Sequence, residues 1–439
     1  MIAFGFGCGS QQHQAQAISV TVSPQSATLG SGQVTQFTAT VTNDSTGVTW
    51  SVSGSGSTAG TIDSSGNYTA PAVTTNSAAS ITATSKADPT KAATATVTVI
   101  APGAVAATAN VQVANYTITP PTGTTVSVEF GPDTNYGLTT WQQPATSTGA
   151  PVSIFVAGMR LNSTYHMRAV IKLADGTNFD DSDHTFTTGT LPASSLPNLV
   201  VSTTPGATPQ SGVELVSLLS TNGIKAPNVA ITDLQGNVLW AYSSPFPLST
   251  PLNPIKLLPN GHFLMSFSGQ PDGANSVMQE VDLTGQVIWQ MTAADLNAAL
   301  AAATCAGCNI AVIGTHHDFQ LLPNGHLIVI ASQNVSESGL AGFPNPVTVT
   351  GDVIIDLDQN RKPVWLWSTF DHLDVNRHPM AFPDWIHGNS IVYSPDDKAL
   401  VFSMRHQNWV IKIDYNDGQG SGNILWKLGF QGDFTLQGG

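Results

Sequence analysis

Two stretches decide the fold: Leu257-Leu-Pro-Asn-Gly-His-Phe-Leu264 and Leu321-Leu-Pro-Asn-Gly-His-Leu-Ile328. Each reads as a strand, a tight Pro/Asn-Gly turn and a second strand. A divergent third copy is Val392-Tyr-Ser-Pro-Asp-Asp-Lys-Ala-Leu400. Between copies run segments that close on tryptophan, Asp233-Leu-Gln-Gly-Asn-Val-Leu-Trp240 and Asp282-Leu-Thr-Gly-Gln-Val-Ile-Trp289. Looser versions span Asp356 to Trp367 and Asp414 to Trp426. A repeat unit able to supply about four short strands predicts propeller blades over 195–439.

The N-terminal half has a different grammar. Val/Thr alternation at 18–22, 35–41, 81–84 and 93–99 predicts period-2 strands. With Trp50 and Gly66-Asn-Tyr-Thr-Ala-Pro71, residues 18–100 resemble a bacterial immunoglobulin-like group 2 module. Residues 101–190 predict a second β-sandwich. Within it, Leu161-Asn-Ser-Thr-Tyr-His-Met-Arg168 resembles the tyrosine corner of a fibronectin type III domain, with Tyr165 at the corner. The expected fold is therefore all-β: two sandwich modules and then an incomplete β-propeller.

Composition agrees. Of the 439 residues only 10% are charged, and Gly (40) and Pro (27) are frequent, as a turn-rich β protein needs. The net charge of −14 rests on just 14 Lys plus Arg, which argues against nucleic acid as a partner. No run of about 18 apolar residues predicts a membrane-spanning helix. Residues 1–17 read as a signal remnant and linker. Cys8 is either part of that remnant or a lipidation site, which would be the chain's one tie to a membrane. An exported protein, periplasmic or on the cell surface, is expected.

One segment breaks the β pattern. Residues 292–303 predict a helix capped by Thr292, leading into Cys305-Ala-Gly-Cys308. In an exported protein Cys305 and Cys308 read as a small disulfide. The competing reading is a zinc site completed by His316 and His317.

The repeat also separates scaffold from chemistry. His262 and His326 recur at one turn position and read as structural. Aligning the copies on their turns brings Leu252, His316 and His387 near one equivalent position, facing the propeller channel. Strand alternation lets only one of His316 and His317 point inward. Arg405 falls where earlier copies carry Ser268 and Ser332. It reads either as an anion ligand or as a partner of Asp318 or Asp384.

Several motifs carry a family resemblance: Asp384-Trp-Ile-His-Gly-Asn-Ser390, Ser403-Met-Arg-His-Gln-Asn-Trp-Val-Ile-Lys-Ile-Asp414, His316-His-Asp-Phe-Gln320 and Ile424-Leu-Trp-Lys-Leu-Gly-Phe-Gln-Gly-Asp-Phe434. Together they resemble the arylsulfotransferase family. That resemblance implies a six-bladed propeller that moves a sulfuryl group from a phenolic sulfate ester to a phenol, with no cofactor. It implies ping-pong transfer through a sulfurylated histidine. His387 and Asn389 match the family's active-site pair, Arg405 its sulfate-binding arginine, and His316-His317 its upstream histidine. The family's nucleophilic histidine lies downstream of the arginine, yet no histidine follows His406 in this sequence. The nucleophile is accordingly expected outside these residues, and the polypeptide is expected to be an inactive piece of an enzyme, with substitution by His406 as the alternative. Phe370, Phe382, Trp385 and Trp409 are either ring-stacking or core residues. A non-catalytic, surface-displayed propeller binding glycans or small aromatics is the competing function. A quinone-dependent dehydrogenase lacks support, since no calcium-binding carboxylate cluster is evident.

Overall fold

The computed structural model describes residues 16–54, 59–192, 196, 199–218, 229–243, 252–269 and 273–435. Cys8 and its surroundings lie outside the described residues. No helix among them is long and apolar enough to cross a membrane. The chain divides into two compact units. One comprises residues 1–108, 114–156 and 162–189; the other comprises 109–113, 157–161 and 190–439.

The first unit is built from small sheets. Strands Ser26–Gly30, Ala92–Ile100, Ser77–Ser85 and Val48–Gly54 form a four-stranded sheet. Val22, Phe37, Tyr68, Ile81 and Val97 pack into one core between this sheet and its smaller neighbours. Farther along, Thr125–Gly131 pairs with Thr164–Lys172. There the buried Tyr116 hydroxyl donates to Asp181 at 2.7 Å and accepts from the Ala169 N–H at 3.1 Å.

In the second unit, four antiparallel sheets follow one another, each a simple meander. The first has three described strands, Glu214–Ser217, Val229–Thr232 and Val238–Tyr242. The second runs Leu252–Leu257, Phe263–Gly269, Gly273–Val281 and Val287–Thr292. The third runs Gly314–Leu321, Leu327–Glu337, Val347–Leu357 and Pro363–Ser368. The fourth runs Gly388–Ser394, Ala399–Met404, Trp409–Ile413 and Ile424–Gly429. The first strands of successive sheets touch one another, as the inner strands of propeller blades do. The fold is all-β, with an incomplete propeller.

The repeated turns are explained by their residues. Leu258 N–H donates to His262 O, and Leu322 N–H to His326 O, both at 2.8 Å. Gly261 and Gly325 hold φ at +84° and +82°, which other residues adopt only with strain. His262 and His326 pair with Glu280 (2.7 Å) and Asp356 (3.0 Å), so both serve the scaffold.

Tryptophans lock each blade to the next. Trp240 Nε1 donates to Leu283 O in the second blade's turn (2.7 Å). The Arg361 guanidinium of the third blade lies over Trp289 of the second. Trp367 Nε1 donates to Gly422 O of the fourth blade (2.8 Å). The strand register corrects one alignment. Trp240, Trp289 and Trp426 correspond to Trp365 rather than Trp367, because Trp365 is the residue facing Asp356.

The helix spans Ala293–Ala302, with a capping box between Thr292 and Asp295. Asn297 ties it to both the N–H and the carbonyl of Val312. Cys305 and Cys308 are joined as a disulfide, with Cα atoms 5.5 Å apart. Both sulfurs are thereby committed, which overturns the zinc reading that included His316 and His317.

Trp367 is 1% exposed, so its loss opens a cavity at a blade junction. Trp367→Ala is expected to destabilise the chain by about 3–5 kcal/mol. Trp367→Phe, which loses the N–H and part of the ring volume but keeps an aromatic ring, should cost less, about 1–3 kcal/mol. Urea unfolding midpoints of the two variants check this ordering.

Candidate active site

The candidate residues sit where inner strands are irregular. In the third blade, Thr315 pairs with Ala331 and Phe319 with Val329, so His316, His317 and Asp318 bulge opposite a single residue. In the fourth, Gly388 pairs with Met404 and Ser390 with Ser403, which leaves Asn389 in a bulge. Bulges of this kind re-aim side chains out of the regular alternation. His317 and His387 both have left-handed backbones, with φ of +56° and +53°. The strict inward/outward alternation expected for His316 and His317 therefore does not apply.

The register also moves two positions. It aligns Gly314 with Gly388, so His387 lies just before its strand while the histidine pair lies inside one. Ser268 and Ser332 align with Met404. Arg405 consequently opens the turn after the strand instead of replacing a serine in it.

Two carboxylates stitch the bulges together. Asp318 pairs with Lys256 of the second blade at 2.7 Å. Its other oxygen accepts from Ser390 Oγ (2.9 Å) and Ile391 N–H (3.0 Å) of the fourth blade. Asp352, 2% exposed, faces His316 Nε2 at 3.0 Å and accepts from the Gly388 N–H. His316 is 8% exposed and turned onto Asp352, while His317 is only half-buried. The Nδ1 atoms of the two histidines lie 2.9 Å apart.

The segment before His387 is held from both sides. Trp385 N–H donates to Thr350 O at 2.9 Å, and the Arg405 and His406 N–H groups donate to the carbonyls of His387 and Ile386. His387 Nδ1 contacts Asp384 at 2.6 Å, and His406 Nδ1–H donates to the Asp384 carbonyl at 2.7 Å. Ring centroids separate His317 from His387 by 4.8 Å, and His387 from His406 by 4.8 Å. Four imidazoles, His316, His317, His387 and His406, thus run in a continuous line. His406 joins the site as a full member, which the sequence reading allowed only as an alternative.

Arg405 is exposed, and its guanidinium makes no ion pair with a described residue. Asp318 and Asp384, the partners considered for it, are engaged by Lys256 and by the histidines. Asn389 is exposed as well. The aromatic candidates sit in the scaffold: Trp385 is buried against Phe370, and Phe382 packs on Phe343. Trp409 carries the Arg377 guanidinium 3.6 Å above its ring.

Asp384, His387 and His406 bring one ligand-type atom each within 4.8 Å of one another. Their Nδ1 atoms are already committed to Asp384, so the trio reads as a hydrogen-bonded network.

The environments drive two of the imidazoles apart. The hydrogen bond to Asp384 pushes His387 above 6.5, against burial and the nearby Arg405 charge. Burial, followed by the charges of His316 and His387, pulls His317 down to about 4. Burial alone would push Asp384 up, but the hydrogen bond from His387 and the surrounding histidine charges outweigh it and hold it low. At neutral pH His317 is neutral, while His387 keeps its proton to a higher pH than a free imidazole does.

The arylsulfotransferase (ASST) family profile matches residues 200–437, more than half of the chain. The chain belongs to the arylsulfotransferase family. No curated protein sequence matches it. Among solved structures, an ICAM-5 D1-D4 ectodomain fragment is 10% identical with a TM-score of 0.23, over 81% of this chain and 99% of that one. Salmonella alpha-2-macroglobulin reacted with methylamine is 9% identical with a TM-score of 0.16, over 91% of this chain and 31% of that one. Likenesses that weak carry no argument. The family is one of aryl-sulfate sulfotransferases, and its match coincides with the four blades and the histidine line.

The His387–Asp384 pair gives a pH window with a definite sign. The raised histidine contributes stability that is fully present below 6.5 and fades as pH rises through its folded value. The lowered carboxylate contributes stability present above 3.8, lost as pH falls through its folded value. The pair is thus fully expressed between 3.8 and 6.5. Asp384→Asn leaves burial and the Arg405 charge acting on His387, with only the weaker pull of Asp352 against them. Its titration midpoint should then drop below 6.5, as followed by NMR of the imidazole protons.

Proposed function

We propose that this chain moves a sulfuryl group from a phenolic sulfate ester to a phenol acceptor through a sulfurylated imidazole. The observation that carries the reading is the Arg405 guanidinium, exposed and without a carboxylate partner among the described residues, beside His387 and its hydrogen-bond network. A guanidinium free of carboxylate partners beside an imidazole that can donate a hydrogen bond is suited to an anion with several oxygens.

The chemistry follows from the charges. The transferred group carries negative charge on its non-bridging oxygens throughout. Arg405 and Asn389 offer donors to those oxygens. Phenol has a pKa of about 10, so its oxyanion leaves more easily when protonated. His387, whose hold on its proton is strengthened by the hydrogen bond to Asp384, is the acid for that step. The acceptor phenol must lose a proton instead, and His317, kept neutral, is the base.

For this chain to turn over, an imidazole of its own must carry the sulfuryl group in place of the downstream histidine the family resemblance implies, and one hydrogen bond favours His406. His406 donates its Nδ1–H to the Asp384 carbonyl, so in the neutral ring Nε2 keeps a lone pair. His406 has the tautomer a nucleophile needs, and its ring adjoins that of His387.

The same reading makes the protein exported, consistent with the Cys305–Cys308 disulfide, and gives it periplasmic or cell-surface substrates. Lipidation at Cys8 remains part of that proposal.

The test is 4-nitrophenol release from 4-nitrophenyl sulfate by the full chain, with and without phenol. Release should depend on phenol. Arg405→Ala and His387→Gln should each lower kcat/KM by about 100-fold or more. A folded chain that binds the ester without turnover would instead favour a non-catalytic binding propeller.

A further inference from the structure

Asp352, His316 and His317 form a line of which the transfer scheme uses only the far end. Asp352 sits on the third strand of its blade, 2% exposed. One of its oxygens accepts the Gly388 N–H, and the other faces His316 Nε2 at 3.0 Å. A carboxylate has only lone pairs to offer, so His316 must carry its hydrogen on Nε2. In neutral His316, Nδ1 is then bare, and it lies 2.9 Å from Nδ1 of His317. A hydrogen bond between those atoms requires the hydrogen on His317. The remaining nitrogen of His317, Nε2, is left with a free lone pair.

We propose that Asp352, acting through His316, is the positioning residue that fixes His317 in its Nδ1–H tautomer and aims the Nε2 lone pair at the acceptor phenol. This deepens the sulfuryl-transfer reading and rests on it for the identity of the proton donor. In the step, the phenol O–H bond breaks and its proton passes to His317 Nε2. The phenol oxygen forms a bond to sulfur. The bond from sulfur to the carrier imidazole breaks, and its electron pair returns to that nitrogen. The positive charge gained by His317 is spread along the hydrogen bonds to His316 and Asp352. The other charged groups around it are His387, Asp384 and, beyond them, Arg405.

The arrangement differs from a merely structural contact in what it controls. A structural role would hold the bulge in place whichever nitrogen carried the hydrogen. The positioning role demands one tautomer.

The experiment pairs a tautomer measurement with kinetics on the full chain. Nitrogen-15 NMR of the imidazoles in wild type should show His317 as the Nδ1–H form at pH 7. Asp352→Asn and His316→Gln should each mix the two tautomers. Both should lower kcat/KM for phenol by about 10–100-fold, with kcat/KM for the donor unchanged. His316→Gln leaves the Gly388 contact intact, so it decides the matter if Asp352→Asn fails to fold. A hydrogen on His317 Nε2 in wild type would overturn the proposal. So would an unchanged tautomer and an unchanged kcat/KM for phenol in both variants. If wild type shows no transfer, the sulfotransferase reading fails, and the tautomer spectra still decide the role of Asp352.

Discussion

The buried carboxylate of Asp352 is the constraint on which the site depends. A charge removed from water is costly unless it is paired and hydrogen-bonded. Asp352 meets that condition with two groups from different inner strands, the Gly388 N–H and His316. Satisfying one carboxylate thus draws the third and fourth blades together at the point where their histidines meet. Gly388 is part of the bargain. A Cβ there would come within 2.4 Å of the Phe402 ring and 2.9 Å of the Asp352 oxygen, so only glycine allows the approach.

Around that pairing, the same side chain is given opposite properties. His387 has a carboxylate at 2.6 Å and is driven toward its cation. His317 has burial and two neighbouring imidazoles and is driven toward neutrality. Pushing two titratable groups apart by environment is how one site supplies an acid and a base at one pH. The bulges make the contrast possible, because a regular strand would point neighbouring histidines to opposite faces. Asp318 holds the bulged strands in place by joining three blades through Lys256, Ser390 and Ile391.

Much of the scaffold was legible in the sequence. The Leu-Pro-Asn-Gly-His copies announce their turns because proline and glycine each have a local job there, and the histidine pairs with an acid of the blade's third strand. Thr292 and Asp295 announce the helix for the same reason. Errors arose where local pattern gave way to register. Trp367 looked like the closing tryptophan, yet Trp365 holds the equivalent position. Arg405 looked like a replaced serine, yet it begins a turn. The choice between His316 and His317 could not be read, because alternation fails at a bulge. Asp352 was overlooked, although a signal was present. It is an acidic residue inside the apolar run Val347–Leu357, and a buried acid there needs a partner. Asp356 in the same strand carries the same signal and is satisfied by His326 and Tyr415.

The chemistry proposed for the histidine line is direct transfer of a sulfuryl group. The most direct measurement follows the sulfur itself. An aryl sulfate labelled with radioactive sulfur is incubated with the chain and an excess of phenol, and the products are separated. Direct transfer puts the label in phenyl sulfate and little in free sulfate. Label recovered as inorganic sulfate, or left on the donor by a folded chain, would contradict it.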